Sequence, residues 1–503
     1  MECIAHLSFC RKRKAVEAMC RLTLMSLALL HVVKLGQLNK FPDVPEAVVH
    51  PVLLEARSME GQKVVELGDG STLLLNKTYV SSDTLTVHSF EKNKRIIQTI
   101  RSQDIEGTLY ENNHNLASLH LQETAHGILM EGLINHSYRI VPCMESERSI
   151  KGQTAHKIYR VKTQKPTFHD ASSAQEFLPE EMELKARAEL PDEFRPDIFV
   201  ICDYEHSNGF KTTTDLLKYV LAFFNGVKLR YESVRSPRIR PRVVGLERAT
   251  WGHEPYMKMY GQDMIAEETL NSLLLYVEGR LAEFKGVDAI LLITGRSMIS
   301  VSTGQIRKGV AGLAFTGGLC SRRRVAESFD AGMGYSGIIH AAHELAHLLG
   351  SSHDQAPPVS WIPGNQGAYH CAWSAGHIMS YDYKDENQFT FSYCSQQQFR
   401  AFLSIVPERC IENKWEGALP KHSSKYPGDM MSRRKFCRKK SGFGNSEDCT
   451  KQSGEEECKI TCCPGTDLYG SRIETAEYWL LDGAKCGKNK ACYNGECSPK
   501  RKM

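Results

Sequence analysis

Twelve residues, His343 to Asp354 (HELAHLLGSSHD), constrain this 503-residue chain more tightly than any other segment. Ser336–Leu349 has a helical pattern, with Ile339, Ala342, Leu345, Leu348 and Leu349 available to a core. On that helix His343 and His347 lie one turn apart on the same face, so their imidazoles can share one cation. Glu344 stands beside the first of them, able to reach a water on the cation without binding the cation itself. Gly350 can take the positive φ that ends a helix and redirects the chain. The turn then returns His353 as a third nitrogen donor. Three imidazoles leave the fourth position of a tetrahedral zinc ion open, the catalytic rather than the structural arrangement. The segment contains no cysteine, which speaks against a closed four-ligand site. Asp354 either orients the turn or is a plain surface aspartate. His370 and His377 follow downstream, and neither is read as a ligand.

Cysteine usage bears on the compartment. Eight of the 17 cysteines fall between Cys437 and Cys497, which means disulfides in an oxidising compartment and metal in a reducing one. The N-terminus decides between them. Arg11, Lys12, Arg13, Lys14 and Arg21 precede an apolar run, Leu22 to Val33, broken only by Thr23, Ser26 and His31. Such a run has the length of a signal-peptide core and is too short to span a bilayer. The competing reading is a buried helix of the first domain. Residues 1–36 are therefore read as a leader, with its cut not fixed, and the chain as secreted. No stretch reaches the 18 apolar residues a membrane span needs. Lys and Arg (63) nearly balance Asp and Glu (59), so nothing global points to nucleic acid.

Texture divides the remainder. Residues 37–192 hold one cysteine, Cys143, and short alternating segments such as Gly127–Val141 that suit half-buried strands. Both glycosylation sequons, at Asn76 and Asn135, fall there. A charged linker with Pro166, Pro179 and Pro191 closes this part. From 193 to 412, strands and helices alternate, which implies a mixed sheet flanked by helices. Asp197, Val200 and Ile201 open an apolar strand, and Val287–Thr294 reads as a fully buried one. Leu217, Val220, Leu221 and Phe224 repeat at helical spacing, and a longer helix is expected to carry Leu270, Leu273, Leu274, Val277, Leu281 and Phe284. Residues 413–503 open with a Gly- and Pro-rich linker and become cysteine-dense and poor in aliphatics, as small disulfide-held modules are.

At this point the chain resembles the reprolysin (adamalysin-like) metzincins: snake-venom metalloproteases, ADAM proteins and their thrombospondin-motif relatives. Met379, 26 residues after His353 within His377–Tyr381, matches the methionine turn beneath the zinc in metzincins. A lone methionine would otherwise be read as core filler. Asp197–Asp203 looks like the opening catalytic strand. Ala311–Cys320 looks like the edge strand lining the substrate cleft, and Cys371–Tyr381 with Phe391–Leu403 like the lower subdomain. Ala346 stands where glycine is common. The likeness spans residues 196–412; residues 115–160 look like a reprolysin propeptide, and Leu481–Cys497 like a disintegrin-like or cysteine-rich module. The layout is most similar to secreted salivary metalloproteases of blood-feeding ticks.

The resemblance implies a multidomain fold: a β-rich propeptide with its linker over 37–192, an α/β metzincin catalytic domain over 193–412, and a disulfide-rich module over 413–503. It implies a zinc-dependent endopeptidase with His343, His347 and His353 as ligands and Glu344 as general base. The substrates would be extracellular proteins, such as host matrix or clotting proteins. It also implies the disulfides Cys371–Cys394 and Cys320–Cys410, which leaves Cys202 as a buried thiol. The family's latency rests on a propeptide cysteine. Cys143 is the one cysteine available, but it sits in VPCM and not in the usual switch sequence, so a free thiol or a partner for Cys202 is the alternative reading; Lys185-Ala186-Arg187 is the nearest thing to a processing site. Arg433, Arg434, Lys435, Arg438, Lys439 and Lys440 crowd around Cys437, as a glycan- or matrix-binding surface or as a solvated charge run. The reading from a different class is an adhesion protein whose module binds a receptor. An intact donor triad beside Glu344 argues against it.

Overall fold

The computed structural model describes residues 45–55, 61–68, 71–91, 94–125, 127–143, 153–162, 189–302, 305–380, 382–383, 385–412, 426–441, 446–450, 458–463, 475–493 and 496–500. The expected leader, Lys185–Arg187 and Tyr381 lie outside them. No helix among the described residues is long and apolar enough to cross a membrane. All the elements below belong to the unit Ala47–Met503.

The N-terminal region is β-rich, as its alternating segments suggest. Nine strands form an antiparallel sheet, with Ala47–Val49 and Val52–Glu55 at its two edges. The segment Gly127–Val141 becomes the strands Gly127–Leu133 and Tyr138–Pro142, which pair with each other. One face of the sheet buries Val65, Leu73, Leu75, Leu119, Met130 and Ile140.

Residues 193–412 build the expected mixed sheet. Asp197–Cys202 and Ala289–Thr294 pair in parallel at its centre and are buried throughout. Strands buried on both faces read as continuous apolar runs, and the residues alternate between two cores. Val200 and Leu291 face the helices Thr213–Tyr231 and Ile338–Leu348. Phe199 and Leu292 face the helix Ala266–Glu278. Thr213–Tyr231 begins at a capping box in which Thr212 and Asp215 satisfy each other's backbone N–H. The helix through Leu270 is shorter than its periodicity suggests. It stops at Glu278 against Gly279, a weak helix former, so Leu281 is half-exposed and Phe284 reaches the core from a turn.

The seven-stranded sheet also crosses the boundary that composition suggests near residue 192. Its last two strands, Ser81–Glu91 and Lys94–Arg101, come from the N-terminal region, and the first pairs in parallel with Arg242–Arg248. The hairpin satisfies backbone groups that an edge strand would leave open. It also brings Arg95, whose Nη2 lies 2.7 Å from Oε2 of the fully buried Glu247. A second buried ion pair, Lys228 to Glu111 at 2.7 Å, ties the helix Thr213–Tyr231 to the same region.

The C-terminal region is held by Cys437–Cys462, Cys449–Cys463, Cys458–Cys492 and Cys486–Cys497. Cys320–Cys410 and Cys371–Cys394 form as the resemblance implies. Cys202 is buried, and neither it nor Cys143 is in a disulfide.

Candidate active site

The helix Ile338–Leu348 carries the site, and its N-terminus is fixed before any histidine is placed. Asp330, fully buried, accepts hydrogen bonds from Gly337 N–H (2.9 Å) and Ser336 Oγ (3.1 Å) through one carboxylate oxygen. The other oxygen accepts from Tyr219 Oη (2.6 Å) and pairs with His206 Nε2 at 3.0 Å. Burial works against a charged His206, but its contacts with Cys202 and Asp330 prevail and raise its pKa to about 10. The buried Asp330–His206 pair thus anchors the helix start.

At the other end the helix closes on Gly350, whose φ is +83°. A side-chain carbon there would meet Phe402 Cβ at 2.8 Å, so both conformation and space require glycine. Ser351 N–H returns to Ala346 O at 3.0 Å, and Gln398 Oε1 accepts from Ser352 N–H and Oγ, at 3.0 and 2.9 Å. These bonds bring His353 back over the helix.

The three Nε2 atoms converge: His343 to His347 at 3.1 Å, His343 to His353 at 3.0 Å, and His347 to His353 at 3.2 Å. Their opposite ring nitrogens fix the tautomers. His343 Nδ1 lies 2.8 Å from Ile378 O, and His347 Nδ1 lies 2.7 Å from Ser351 O. A carbonyl only accepts, so each Nδ1 carries the proton and each Nε2 presents a lone pair to the centre. Lone pairs meeting at such distances repel unless a cation shares them. Four-coordinate zinc with Zn–N near 2.0–2.1 Å separates its ligand nitrogens by roughly 3.4 Å. The donor set and its spacing therefore fit zinc. Among the described residues no other His, Cys, Asp or Glu joins this group. His377 instead places Nδ1 3.0 Å from Thr390 Oγ1.

The Met379 turn supports the triad directly. Met379 is fully buried, Ile378 holds His343, and Asp354 N–H donates to Met379 O at 3.1 Å. Asp354 is no surface aspartate. Burial raises its pKa, and Oδ1 accepts from Ser392 Oγ at 2.6 Å, the residue that caps the helix Tyr393–Leu403. Two contributors escape a reading of the motif. The Trp373 ring meets His353 edge-on, with centroids 6.0 Å apart. Gly312, in the outermost strand Gly312–Ala314, packs against the buried side chain of Glu344. The sequence AGLAFTGGLC marks that strand but not this contact.

The basic segment forms the helix Arg433–Ser441, in which Arg433 pairs with Asp448 (3.6 Å), Arg434 with Glu447 (2.5 Å) and Lys440 with Glu66 (2.5 Å). Arg438 and Lys439 are exposed.

Residues 197–415 match the family described as Reprolysin (M12B) family zinc metalloprotease, and residues 427–498 match ADAMTS cysteine-rich domain 2. Similar proteins include a "disintegrin and metalloproteinase with thrombospondin motifs like" protein of Bombyx mori, 32% identical over 62% of this chain and 46% of its own length. A venom metalloproteinase, antarease-like, of Tityus trivittatus is 28% identical over 63% of this chain and 82% of its own. Antarease of Tityus serrulatus is 27% identical with the same coverage. The chain thus spans less than half of the first relative and most of the other two.

Proposed function

Residues 197–415 are a domain of the Reprolysin (M12B) family of zinc metalloproteases, and from that premise we propose that the chain is a secreted zinc endopeptidase hydrolysing extracellular proteins. The convergence of three Nε2 atoms within 3.2 Å of one another carries the reading. His343, His347 and His353 would hold the ion. Zinc in such a site supplies Lewis acidity, polarising a carbonyl and acidifying water. Glu344 takes the proton of the attacking water and delivers it to the leaving amine, so one carboxylate serves as base and then as acid. Substrate would lie extended along the Gly312–Thr316 edge, drawing affinity from backbone pairing and selectivity from side-chain pockets.

In this reading residues 1–36 are a leader, 37–192 a propeptide and linker, 193–412 the protease and 413–503 the cysteine-rich module. The venom relatives support secretion. Exposed Arg438 and Lys439 are the cations left for contact with sulfated glycans. The test is zinc removal and reconstitution. Chelated protein should lose hydrolysis of a denatured protein substrate and regain it with one equivalent of zinc. Equal hydrolysis with and without zinc would overturn the assignment.

A further inference from the structure

Two strands of the N-terminal sheet have too many apolar residues for a sheet with one covered face. Val64 and Val65 are adjacent, as are Leu73, Leu74 and Leu75, whereas an antiparallel sheet solvated on one side alternates apolar with polar. Both faces must therefore be covered. Val65, Leu73 and Leu75 point into the region's own core. Val64 and Leu74, directly opposite each other in register, point the other way with Leu54 and are no more than 3% exposed. What covers them is the cysteine-rich module. Leu54, Val64 and Leu74 belong to one continuous core with Phe436, Ile460 and the buried disulfide cysteines. At its margin Lys440 Nζ meets Glu66 Oε2 at 2.5 Å, with side chains 12% and 4% exposed. The module thus completes its core with residues from the opposite end of the sequence.

We propose that the cysteine-rich module is a holding site for the N-terminal region, so that a cut between residues 163 and 188 leaves the N-terminal fragment bound. The apolar faces are mutually dependent: departure of the fragment would bare Phe436 and Ile460 on one side and Leu54, Val64 and Leu74 on the other. The docking on the strand Arg242–Arg248 is a second, separate attachment. Read with 37–192 as a propeptide, the contact makes latency outlast cleavage. The binding itself does not rest on that reading.

The test uses the full chain with a site for a sequence-specific protease placed between residues 163 and 188. After cutting, the fragment should co-elute with the remainder on gel filtration. Lys440→Glu, which sets two partly buried carboxylates against each other, should speed its dissociation by about tenfold or more. Combining it with Glu66→Lys should restore retention, which a merely misfolded module would not do. Fragment loss on cutting the parent chain would overturn the proposal. So would equal dissociation from parent and Lys440→Glu, or a double variant no better than the single. Peptidase activity is followed in parallel. A retained fragment beside full activity would contradict the propeptide reading and leave the holding site standing.

Discussion

A side-chain carbon placed on Gly312 would stand 2.5 Å from Glu344 Cγ and 2.6 Å from its Cδ, so the outermost strand reserves its closest approach for that carboxylate. No real Cβ tolerates such contacts, and either the strand or Glu344 must shift. Gly312→Ala should therefore displace the proposed base without touching a nitrogen donor. Misplacement of a reacting group by about 1 Å costs on the order of 10²-fold in rate. We expect kcat to fall by about that much at unchanged zinc content, with overpacking costing about 1–3 kcal/mol of stability. Unaltered kcat would mean that Glu344 does not depend on this gap.

Arg95 and Glu247 join the N-terminal hairpin to the catalytic sheet. Glu247 is fully buried, and it also accepts from Tyr276 Oη at 2.8 Å. Arg95→Met keeps the apolar stem and removes the charge, stranding a buried carboxylate at a cost of about 3–5 kcal/mol. Chemical denaturation monitored in the two proteins checks this. A change below 1 kcal/mol, given the same denaturant slope, would show that Tyr276 and His88, whose Nδ1 lies 3.4 Å from Oε2, suffice for Glu247.

How far the sequence revealed these features follows from the range of the interactions. The triad was legible because its geometry is local: helical spacing, one glycine and a short turn place three nitrogens. Asp197–Cys202 and Ala289–Thr294 were legible because burial on both faces leaves Ile198–Ile201 and Ala289–Ile293 as unbroken apolar runs. The hairpin Ser81–Arg101 was not, since nothing in its alternation names a strand over 150 residues away as its neighbour. Gly312 escaped for the same reason: its φ is ordinary, and only the folded chain brings Glu344 against it. The doubled apolar residues Val64-Val65 and Leu73-Leu74-Leu75 were visible, but their covering module was not. Periodicity also ran past a true helix end at Gly279, because Leu281 and Phe284 kept the spacing after the backbone had left the helix.

Acid should loosen the N-terminal region. Burial lowers the pKa of His120 and of His156 to about 4 each. His156 Nε2 accepts from Met130 N–H at 2.9 Å, so a proton there breaks that bond, while His120, with Nε2 2.9 Å from Lys218 O and Nδ1 2.8 Å from Thr108 Oγ1, sits in a buried site that disfavours the charged ring. Above the unfolded value near 6.5 both states are neutral and the stability is fully present. Between 6.5 and 4 only the unfolded chain takes up protons, so stability is lost as pH falls, by up to about 3 kcal/mol per histidine. Urea unfolding of the N-terminal region at pH 7.5, 5.5 and 4.5 measures the slope. His120→Gln should remove about half of it, and an unchanged slope would exclude His120 as a contributor.

The Cys371–Cys394 bridge closes a loop with a sequence separation of 23 that contains Met379 and Ile378. Chain-entropy arguments assign such a loop about 3 kcal/mol. Because Ile378 O orients His343, replacing both cysteines by alanine should lower zinc affinity as well as stability. A chelator competition titration reads the first. Lost stability with unaltered zinc affinity would confine the bridge to a structural role.

The central claim is that zinc binding and proton transfer are divided between neighbours on one helix, and a paired comparison of Glu344→Ala and His347→Ala measures it. Zinc per chain and turnover of a peptide substrate are determined on the same preparations. Glu344→Ala retains all three nitrogens and should keep about one zinc while turnover falls by roughly 10²–10⁴. His347→Ala leaves two imidazoles, so metal and activity should vanish together. Near-normal turnover by Glu344→Ala at full zinc occupancy would contradict the account.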